Sequence, residues 1–278
     1  MKDLYDEISF RISKLTTTAY STSFSMGIRV FNKRFHNPIY GIYGFVRLAD
    51  EIVDTFHAYD KMRLLNDFKK DTFRAIDEGI SLNPVLNSFQ YVVNKYGIER
   101  ELIETFLLSM EMDLDKKTYD QYGYEKYILG SAEVIGLMCL RVFLEGDEKK
   151  YMELKDNAMS LGSAFQKINF LRDLRADYKT LGRTYFPGVD ISNFNETERR
   201  TIEEDIEKDF RHGYEGIKEL PSSVRRGVYI AYKYYYSLFN KIKNTSTTTL
   251  LNRRIRISNT RKHWLLAISF FKIKWLFQ

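Results

Sequence analysis

Two pairs of aspartates at helical spacing are the residues of this chain best suited to chemistry. Asp50 and Asp54 lie in the segment YGIYGFVRLADEIVDTF, and Asp173 and Asp177 lie in FQKINFLRDLRADY. Residues four apart in an α-helix share a face, so each pair places two carboxylates side by side. Mg²⁺ is usually held by one or two carboxylates together with phosphate oxygens of a substrate. The two pairs therefore favour magnesium-assisted chemistry on a diphosphate.

The second pair is the stronger signal. Two neighbouring aspartates cost an isolated helix only about 0.2–0.5 kcal/mol, so the first pair alone would be tolerated on any surface. Gln166 and Asn169 extend the polar face of the second pair along an otherwise apolar helix, where unpaired polar atoms are costly. Two explanations stay open for this face: a ligand that satisfies its polar groups, or a buried salt-bridge network with Arg172 and Arg175.

Helical periodicity positions these residues. Apolar residues recur three and four apart, which predicts helices at roughly 2–18, 38–57, 60–79, 84–95, 98–115, 122–144, 148–178, 196–219 and 222–243. Asn37-Pro38 and Asn83-Pro84 each predict a cap residue followed by a first-turn proline. No sustained alternation of the kind a half-buried sheet needs is present. The sequence predicts one all-α domain with the two aspartate pairs facing each other across a cavity.

Composition and charge argue against several other classes. The single Cys139 excludes an internal disulfide framework, and the four scattered histidines argue against a zinc site. The net charge of +6 originates in residues 241–278, which hold nine basic and no acidic side chains. The other 240 residues are slightly acidic, which argues against a nucleic-acid-binding surface. With no secretory signal and no uninterrupted apolar run of membrane-spanning length, we expect a cytoplasmic protein. We also expect no obligate protein partner.

Three segments carry a resemblance to a known family. The chain resembles the squalene/phytoene synthases over roughly residues 12–262, and most of all the phytoene synthases of Bacteroidetes-type bacteria. The matching motifs are STSF at 21–24, YGFVRLADEIVD at 43–54, and the second aspartate face followed by GRTYFP at 182–187. The last is very specific, since family members carry QxxNxLRDxxxD and then GRxYxP. The resemblance implies an all-α isoprenoid synthase fold with helices around a central cavity. We assign this domain to residues 1–262, and residues 263–278 are set apart as a basic amphipathic tail by their composition.

The resemblance also implies an activity. Members of the family condense two prenyl diphosphates head to head through a cyclopropylcarbinyl diphosphate. We expect a phytoene synthase that uses two molecules of geranylgeranyl diphosphate and several Mg²⁺ ions, for which Mn²⁺ is an expected substitute, without NADPH. One alternative is a squalene or dehydrosqualene synthase that uses two molecules of farnesyl diphosphate. An alternative from another class is a non-catalytic, membrane-associated helical scaffold, which would have no reason to keep both aspartate pairs.

The family motifs assign roles to individual residues. The implied metal ligands are Asp50, Asp54, Asp173, Asp177 and Asn169. The implied diphosphate and substrate contacts are Ser21, Ser23, Phe24, Arg47, Arg172, Gln166 and Tyr235. Tyr43 is expected near the reacting carbons, where an aromatic ring stabilises a cation by about 0.5–2 kcal/mol without attacking it.

The chain departs from the family pattern in one segment. Relatives usually carry YCYxVAGxVG, whereas residues 127–136 read YILGSAEVIG. Leu129 stands where relatives have a second tyrosine, and Glu133 stands where they have a glycine. Glu133 is either an additional carboxylate of the cavity or the partner of a neighbouring basic residue, and the second is the favoured interpretation.

The C-terminal tail has a composition of its own. Residues 263–277 read HWLLAISFFKIKWLF and follow a basic stretch that includes Arg253, Arg254 and Arg256. This composition favours an amphipathic helix at the inner face of an anionic membrane. The alternative is a final helix packed on the protein body. Truncation at Lys262 separates the two, because membrane docking predicts that the shortened protein loses its affinity for anionic liposomes.

Overall fold

The computed structural model describes residues 1–115, 118–176, 178 and 183–257, without the side chains of residues 22–24, 176 and 192. The described residues form α1 (Lys2–Tyr20), α2 (Thr22–Ile28), α3 (His36–Asp54), α4 (Lys61–Glu78), α5 (Pro84–Tyr96), α6 (Arg100–Asp115), α7 (Gln121–Ile128), α8 (Val134–Leu144), α9 (Glu148–Ala176), α10 (Glu196–Glu219), α11 (Ser222–Lys243) and α12 (Thr247–Leu250). Within the described ranges no β-strand forms, and a single isolated bridge joins Thr118 to Thr184. The all-α prediction is confirmed.

The predicted helices are present with small shifts at their ends, and several features of the fold were not predicted. The short helix α2 follows α1 after Ser21. A π-helical turn at Leu129–Glu133 separates α7 from α8, where the sequence predicted one continuous helix. The cap at Asn83 is confirmed, since its side chain accepts hydrogen bonds from the backbone N–H groups of Val85 and Leu86.

The predicted cap at Asn37 is wrong. A 3₁₀ turn at Lys33–Phe35 runs directly into α3, so that Phe35 is the N-cap and the helix begins at His36. Asn37 and Pro38 therefore lie in the first turn. Proline is tolerated there, because the N–H groups of the first turn have no partner within the helix.

Helix α3 is the central element of the first half of the chain. It packs against α1, α4, α5, α6 and α8, and eleven of its residues are buried. Phe45, which is fully buried, stacks on Phe89 of α5 with ring centroids 3.9 Å apart. This packing holds the face that carries Asp50 and Asp54 in a defined orientation.

Helices α9, α10 and α11 form the second half. Arg199 of α10 is buried beside Glu203, 2.7 Å away, and its guanidinium donates hydrogen bonds to the carbonyl groups of Ile242, Lys243 and Thr245. These carbonyls lie at the end of α11, where they lack partners within the helix. Arg199 therefore fixes α11, and the tyrosines on it, against α10.

Close approach between helices depends on glycines at particular positions. A Cβ added at Gly162 of α9 would lie 2.8 Å from the carbonyl oxygen of Ala132, and one added at Gly216 of α10 would lie 2.3 Å from the Cβ of Asn157. Neither distance is compatible with a side chain, so both helices pack at backbone distance here.

The segment Gln121–Leu144 is long and apolar enough to span a membrane, but 67% of its most apolar window is buried inside the protein, as for a core helix.

Candidate active site

A cavity of about 530 Å³ lies among α3, α6, α8, α9, α10 and α11. Much of its wall is apolar and comes from the sides of these helices, including Ile39, Val46, Ile135, Leu140, Leu161, Ile217 and Val228. Asp50, Asp54 and Asp173 line the same cavity, with side-chain exposures of 32%, 43% and 19%. The structure therefore brings the first aspartate face (Asp50 and Asp54) and Asp173 of the second to one cavity, as the sequence predicted.

The first aspartate face is arranged around Arg47. Its guanidinium lies 3.6 Å from Asp50, pairs with Glu51, and stacks on the Tyr20 ring with 4.2 Å between the guanidinium carbon and the ring centroid. The Nε atom of Arg47 is buried and has no hydrogen-bond partner. The contacts of Arg47 with the protein therefore leave one of its donors unpaired beside the cavity.

Asp50 is surrounded by protein, and the surface that it exposes is the cavity. The pKa of the Asp50 carboxyl is raised from its ordinary value of 3.8 to about 8, because burial and repulsion by Asp54, Asp113 and Glu51 outweigh the opposing effect of Arg47. The ionised form of Asp50 is thus disfavoured unless positive charge is supplied. A bound cation would relieve this cost.

On the second aspartate face, part of the predicted salt-bridge network with Arg172 and Arg175 is present. Asp173 lies 2.5 Å from the guanidinium of Arg172 and 2.5 Å from that of Arg254. Arg175, the other predicted partner, instead donates to the carbonyl of Asn252. Asp173 is thus held between two arginines, one of which comes from the segment after α12. Asp177 lies outside the described residues.

Asn169 carries an unsatisfied acceptor into the same region. Its Nδ2 lies 3.4 Å from the Oε1 of Gln166, whereas its Oδ1 is buried without a hydrogen-bond partner. A buried acceptor is expected to be paired, by a ligand if not by the protein. No group of three or more acidic, histidine or cysteine side chains within the described ranges is arranged as a metal cluster. The oxygen donors Asp50, Asp54, Asp173 and Asn169 nevertheless match the preference of Mg²⁺, which needs few protein ligands when phosphate oxygens are present.

Aromatic side chains form the wall beside these groups. Tyr235 of α11 stacks on Phe165 of α9 with ring centroids 4.0 Å apart, and both line the cavity with Tyr43. Burial raises the pKa of Tyr43 and of Tyr235, so both phenols stay neutral. Each therefore presents a neutral ring to the cavity, rather than a phenolate that would react with a carbocation.

The remaining predicted site residues are divided between the described and undescribed parts. Ser21 ends α1 and lines the cavity, as do Gln166 and Arg172. The side chains of Ser23 and Phe24 lie outside the described part of the chain.

Glu133 lies beside Ser163 and within electrostatic reach of the basic residue Lys167. Its carboxylate accepts a hydrogen bond from the hydroxyl of Ser163, and it is not among the described residues that line the cavity. Lys167 attracts it electrostatically, but the ammonium group of Lys167 pairs with Asp205 and Asp209. The favoured interpretation, a carboxylate that points at a neighbouring basic residue, thus agrees with the attraction by Lys167, while the hydrogen bond comes from Ser163. Leu129, in the place of the missing tyrosine, packs against the main hydrophobic core.

Sequence reasoning missed three charged residues of the cavity: Asp113, Arg183 and Arg254. A signal for Asp113 was present, because it continues the apolar face of α6 formed by Ile103, Phe106 and Met110. A charged residue on a core-facing stripe requires a partner. Arg183 lies in the GRTYFP motif, to which no role was assigned, whereas Arg254 carried no local signal.

The comparison with known families decides which family the chain belongs to. A family model described as squalene/phytoene synthase matches residues 17–261. The chain belongs to the squalene/phytoene synthase family. It is a prenyltransferase of the phytoene/squalene synthase type, and the predicted family is confirmed.

Individual relatives extend over most of the chain. The phytoene synthase of Arthrospira platensis is 23% identical, with 94% of this chain and 92% of the relative covered. A presqualene diphosphate synthase of Rhodopseudomonas palustris is 26% identical over 79% of this chain and 83% of the relative. Among solved structures, a dehydrosqualene synthase superposes with a TM-score of 0.83 at 20% identity, covering 97% of this chain and 98% of that one. These relatives support head-to-head prenyl condensation, and the superposition confirms the isoprenoid synthase fold.

Proposed function

We propose that this member of the family is a phytoene synthase, which condenses two molecules of geranylgeranyl diphosphate with release of two diphosphates. The observation that supports the proposal most directly is the combination of an apolar cavity with unsatisfied polar atoms on the residues that line it, among them Arg47 Nε and Asn169 Oδ1. A prenyl diphosphate offers both an apolar chain for the wall and phosphate oxygens for an arginine donor. The assignment to C20 substrates follows the phytoene synthase relatives, which cover nearly the whole chain.

The groups around the cavity support distinct roles. Arg47 and Arg172 hold diphosphate oxygens through charge-assisted hydrogen bonds. The neutral rings of Tyr43 and Tyr235 face the allylic cation that forms when the first diphosphate leaves, and stabilise it by about 0.5–2 kcal/mol per ring. The apolar wall excludes water, which would otherwise capture the cation.

Several Mg²⁺ ions complete the proposed site. Asp50, Asp54, Asp173 and Asn169 would hold them, with Asp177 added from the sequence pattern, and the ions would neutralise the leaving diphosphate. The unsatisfied Oδ1 of Asn169 and the disfavoured charge of Asp50 support this assignment.

A second candidate follows from the other relatives. Presqualene diphosphate and dehydrosqualene synthases are named among the proteins similar to this chain at comparable identity. The candidate function is condensation of two molecules of farnesyl diphosphate to a C30 product. The two candidates share the proposed ionisation of the first diphosphate and differ in the chain length of the substrate, and a squalene product would in addition require NADPH as the reductant.

Product identification tests the proposal. The purified protein is incubated with geranylgeranyl or farnesyl diphosphate, with Mg²⁺ or with EDTA, and with or without NADPH, and lipid extracts are analysed by mass spectrometry. We expect phytoene from the C20 substrate in Mg²⁺, no product in EDTA, and no effect of NADPH. A C30 product alone would replace phytoene synthase with the second candidate. Full turnover in EDTA would overturn the metal assignment.

The membrane role of residues 263–278 stays a proposal based on composition, because these residues lie outside the described part of the chain. An amphipathic tail at a membrane surface suits an enzyme whose C40 product partitions into lipid.

A further inference from the structure

Asp113 is a buried carboxylate in the wall of the cavity. Its side chain is 5% exposed, and both of its oxygens accept hydrogen bonds from phenols. Tyr127 donates to Oδ2 at 2.7 Å, and Tyr185 donates to Oδ1 at 3.3 Å. Because both acceptors are engaged and the group is enclosed, Asp113 is poorly placed to serve as a cation ligand.

Arg183 is the cationic partner of Asp113. The side chain of Arg183 is 9% exposed, and its Nη1 atom lies 3.6 Å from the Oδ1 of Asp113. Its Nη2 atom donates to the backbone carbonyl of Asp113 at 2.6 Å. Two contacts to the same residue set the orientation of the guanidinium.

The same guanidinium also reaches the first aspartate face. Arg183 Nη1 lies 3.4 Å from the Oδ1 of Asp54, whose side chain is 43% exposed to the cavity. Arg183 therefore contacts both the enclosed carboxylate of Asp113 and the more exposed carboxylate of Asp54. Its contact with Asp54 is longer than its hydrogen bond to the Asp113 carbonyl, which is 2.6 Å.

We propose that Asp113 is a positioning residue that retains Arg183 and so limits how far the guanidinium neutralises Asp54. This inference rests on the proposed function, in which Asp54 is a cation ligand. If the charge of Asp113 is removed, Asp54 becomes the carboxylate that the buried guanidinium pairs with. A guanidinium seated on Asp54 competes with a divalent cation for the same oxygens.

The test is a titration of the substrate-free protein with Mn²⁺. The electron paramagnetic resonance signal of free Mn²⁺ measures how much of the ion is bound. Asp113→Asn keeps the size of the side chain and removes its charge, and we expect it to weaken Mn²⁺ binding about 10-fold, as for other groups that orient metal ligands. Asp115→Asn is the matched control, because Asp115 is exposed on the same helix. We expect this variant to bind Mn²⁺ as the unmodified protein does.

A second substitution distinguishes positioning from a general loss of structure. Adding Arg183→Met to Asp113→Asn removes the competing guanidinium, so we expect Mn²⁺ affinity to recover most of the 10-fold loss. Unchanged binding in Asp113→Asn, or a loss that Arg183→Met does not relieve, would overturn the proposal. If Asp113→Asn does not fold, Tyr127→Phe and Tyr185→Phe each remove one hydrogen bond to Asp113. Each should weaken Mn²⁺ binding about 3-fold, and unchanged binding in both would also overturn the proposal.

Asp54→Asn separates this inference from the proposed function. Loss of Mn²⁺ binding in Asp54→Asn together with normal binding in Asp113→Asn refutes the positioning role alone. Normal Mn²⁺ binding in Asp54→Asn refutes the ligand role of Asp54, and the positioning role is refuted with it.

Discussion

Asp50→Asn is expected to lower kcat/KM for the prenyl diphosphate by about 100-fold or more, while the protein stays folded. The substitution preserves the shape of the side chain and removes one of the negative charges proposed to hold Mg²⁺. Metal neutralisation of a leaving group contributes several kcal/mol to a transition state, and each 1.36 kcal/mol corresponds to a factor of ten in rate. Diphosphate release under saturating Mg²⁺ measures the loss.

The stability of Asp50→Asn is expected to change in the opposite direction. Burial raises the pKa of Asp50 from 3.8 to about 8, so the unfolded chain ionises this group at lower pH than the folded protein does. Its ionisation therefore costs the metal-free fold increasing stability as pH rises from about 3.8 to about 8. Asparagine avoids that cost. At pH 7.5 in EDTA, the Tm of Asp50→Asn should equal or exceed that of the unmodified protein.

Mg²⁺ and a surface control make the experiment decisive. A ligand that binds the folded state raises Tm, so Mg²⁺ with inorganic pyrophosphate should stabilise the unmodified protein more than Asp50→Asn. Asp67→Asn, at an exposed salt bridge on α4, should leave activity unchanged. Full activity in Asp50→Asn would refute the metal assignment, and a large fall in its Tm in EDTA would refute the account of its pKa.

Arg254→Ala is expected to raise KM for the prenyl diphosphate by about 10- to 100-fold, with a smaller effect on kcat. In the structure Arg254 pairs with Asp173 at 2.5 Å and lines the cavity. A cation bound at Asp173 would displace the guanidinium, which then lies beside the diphosphate that the cation holds. A charge-assisted hydrogen bond contributes about 1.5–3 kcal/mol, which corresponds to the expected change in KM.

Binding measurements separate this role from a structural one. Calorimetric titration with inorganic pyrophosphate in Mg²⁺ should show weaker binding to Arg254→Ala. Mn²⁺ binding without pyrophosphate should stay the same or strengthen, because Arg254 no longer competes for Asp173. Arg253→Ala, at the exposed neighbouring residue, is the control and should resemble the unmodified protein. Equal pyrophosphate affinity in the two variants would contradict the prediction.

Much of the architecture could be predicted because helical signals are local. The periodicity that defines α3 and α9 involves residues three and four apart, and the cap at Asn83 involves its next three residues. The same local rule predicted that Asp50 and Asp54 share a face. The π-helical turn at Leu129–Glu133 was missed, since the apolar pattern there is compatible with a continuous helix and packing against α6 and α9 accompanies the irregularity.

The aspartate faces are the feature that the sequence by itself determined, together with the fold class and the family. Tertiary structure decided which groups surround those faces. Arg183 reaches Asp54 across 129 positions of the chain, and Arg254 reaches Asp173 across 81. No periodicity encodes contacts of this kind, because they depend on how whole helices pack. The partners of each carboxylate, and hence the charge each presents to a ligand, follow from that packing.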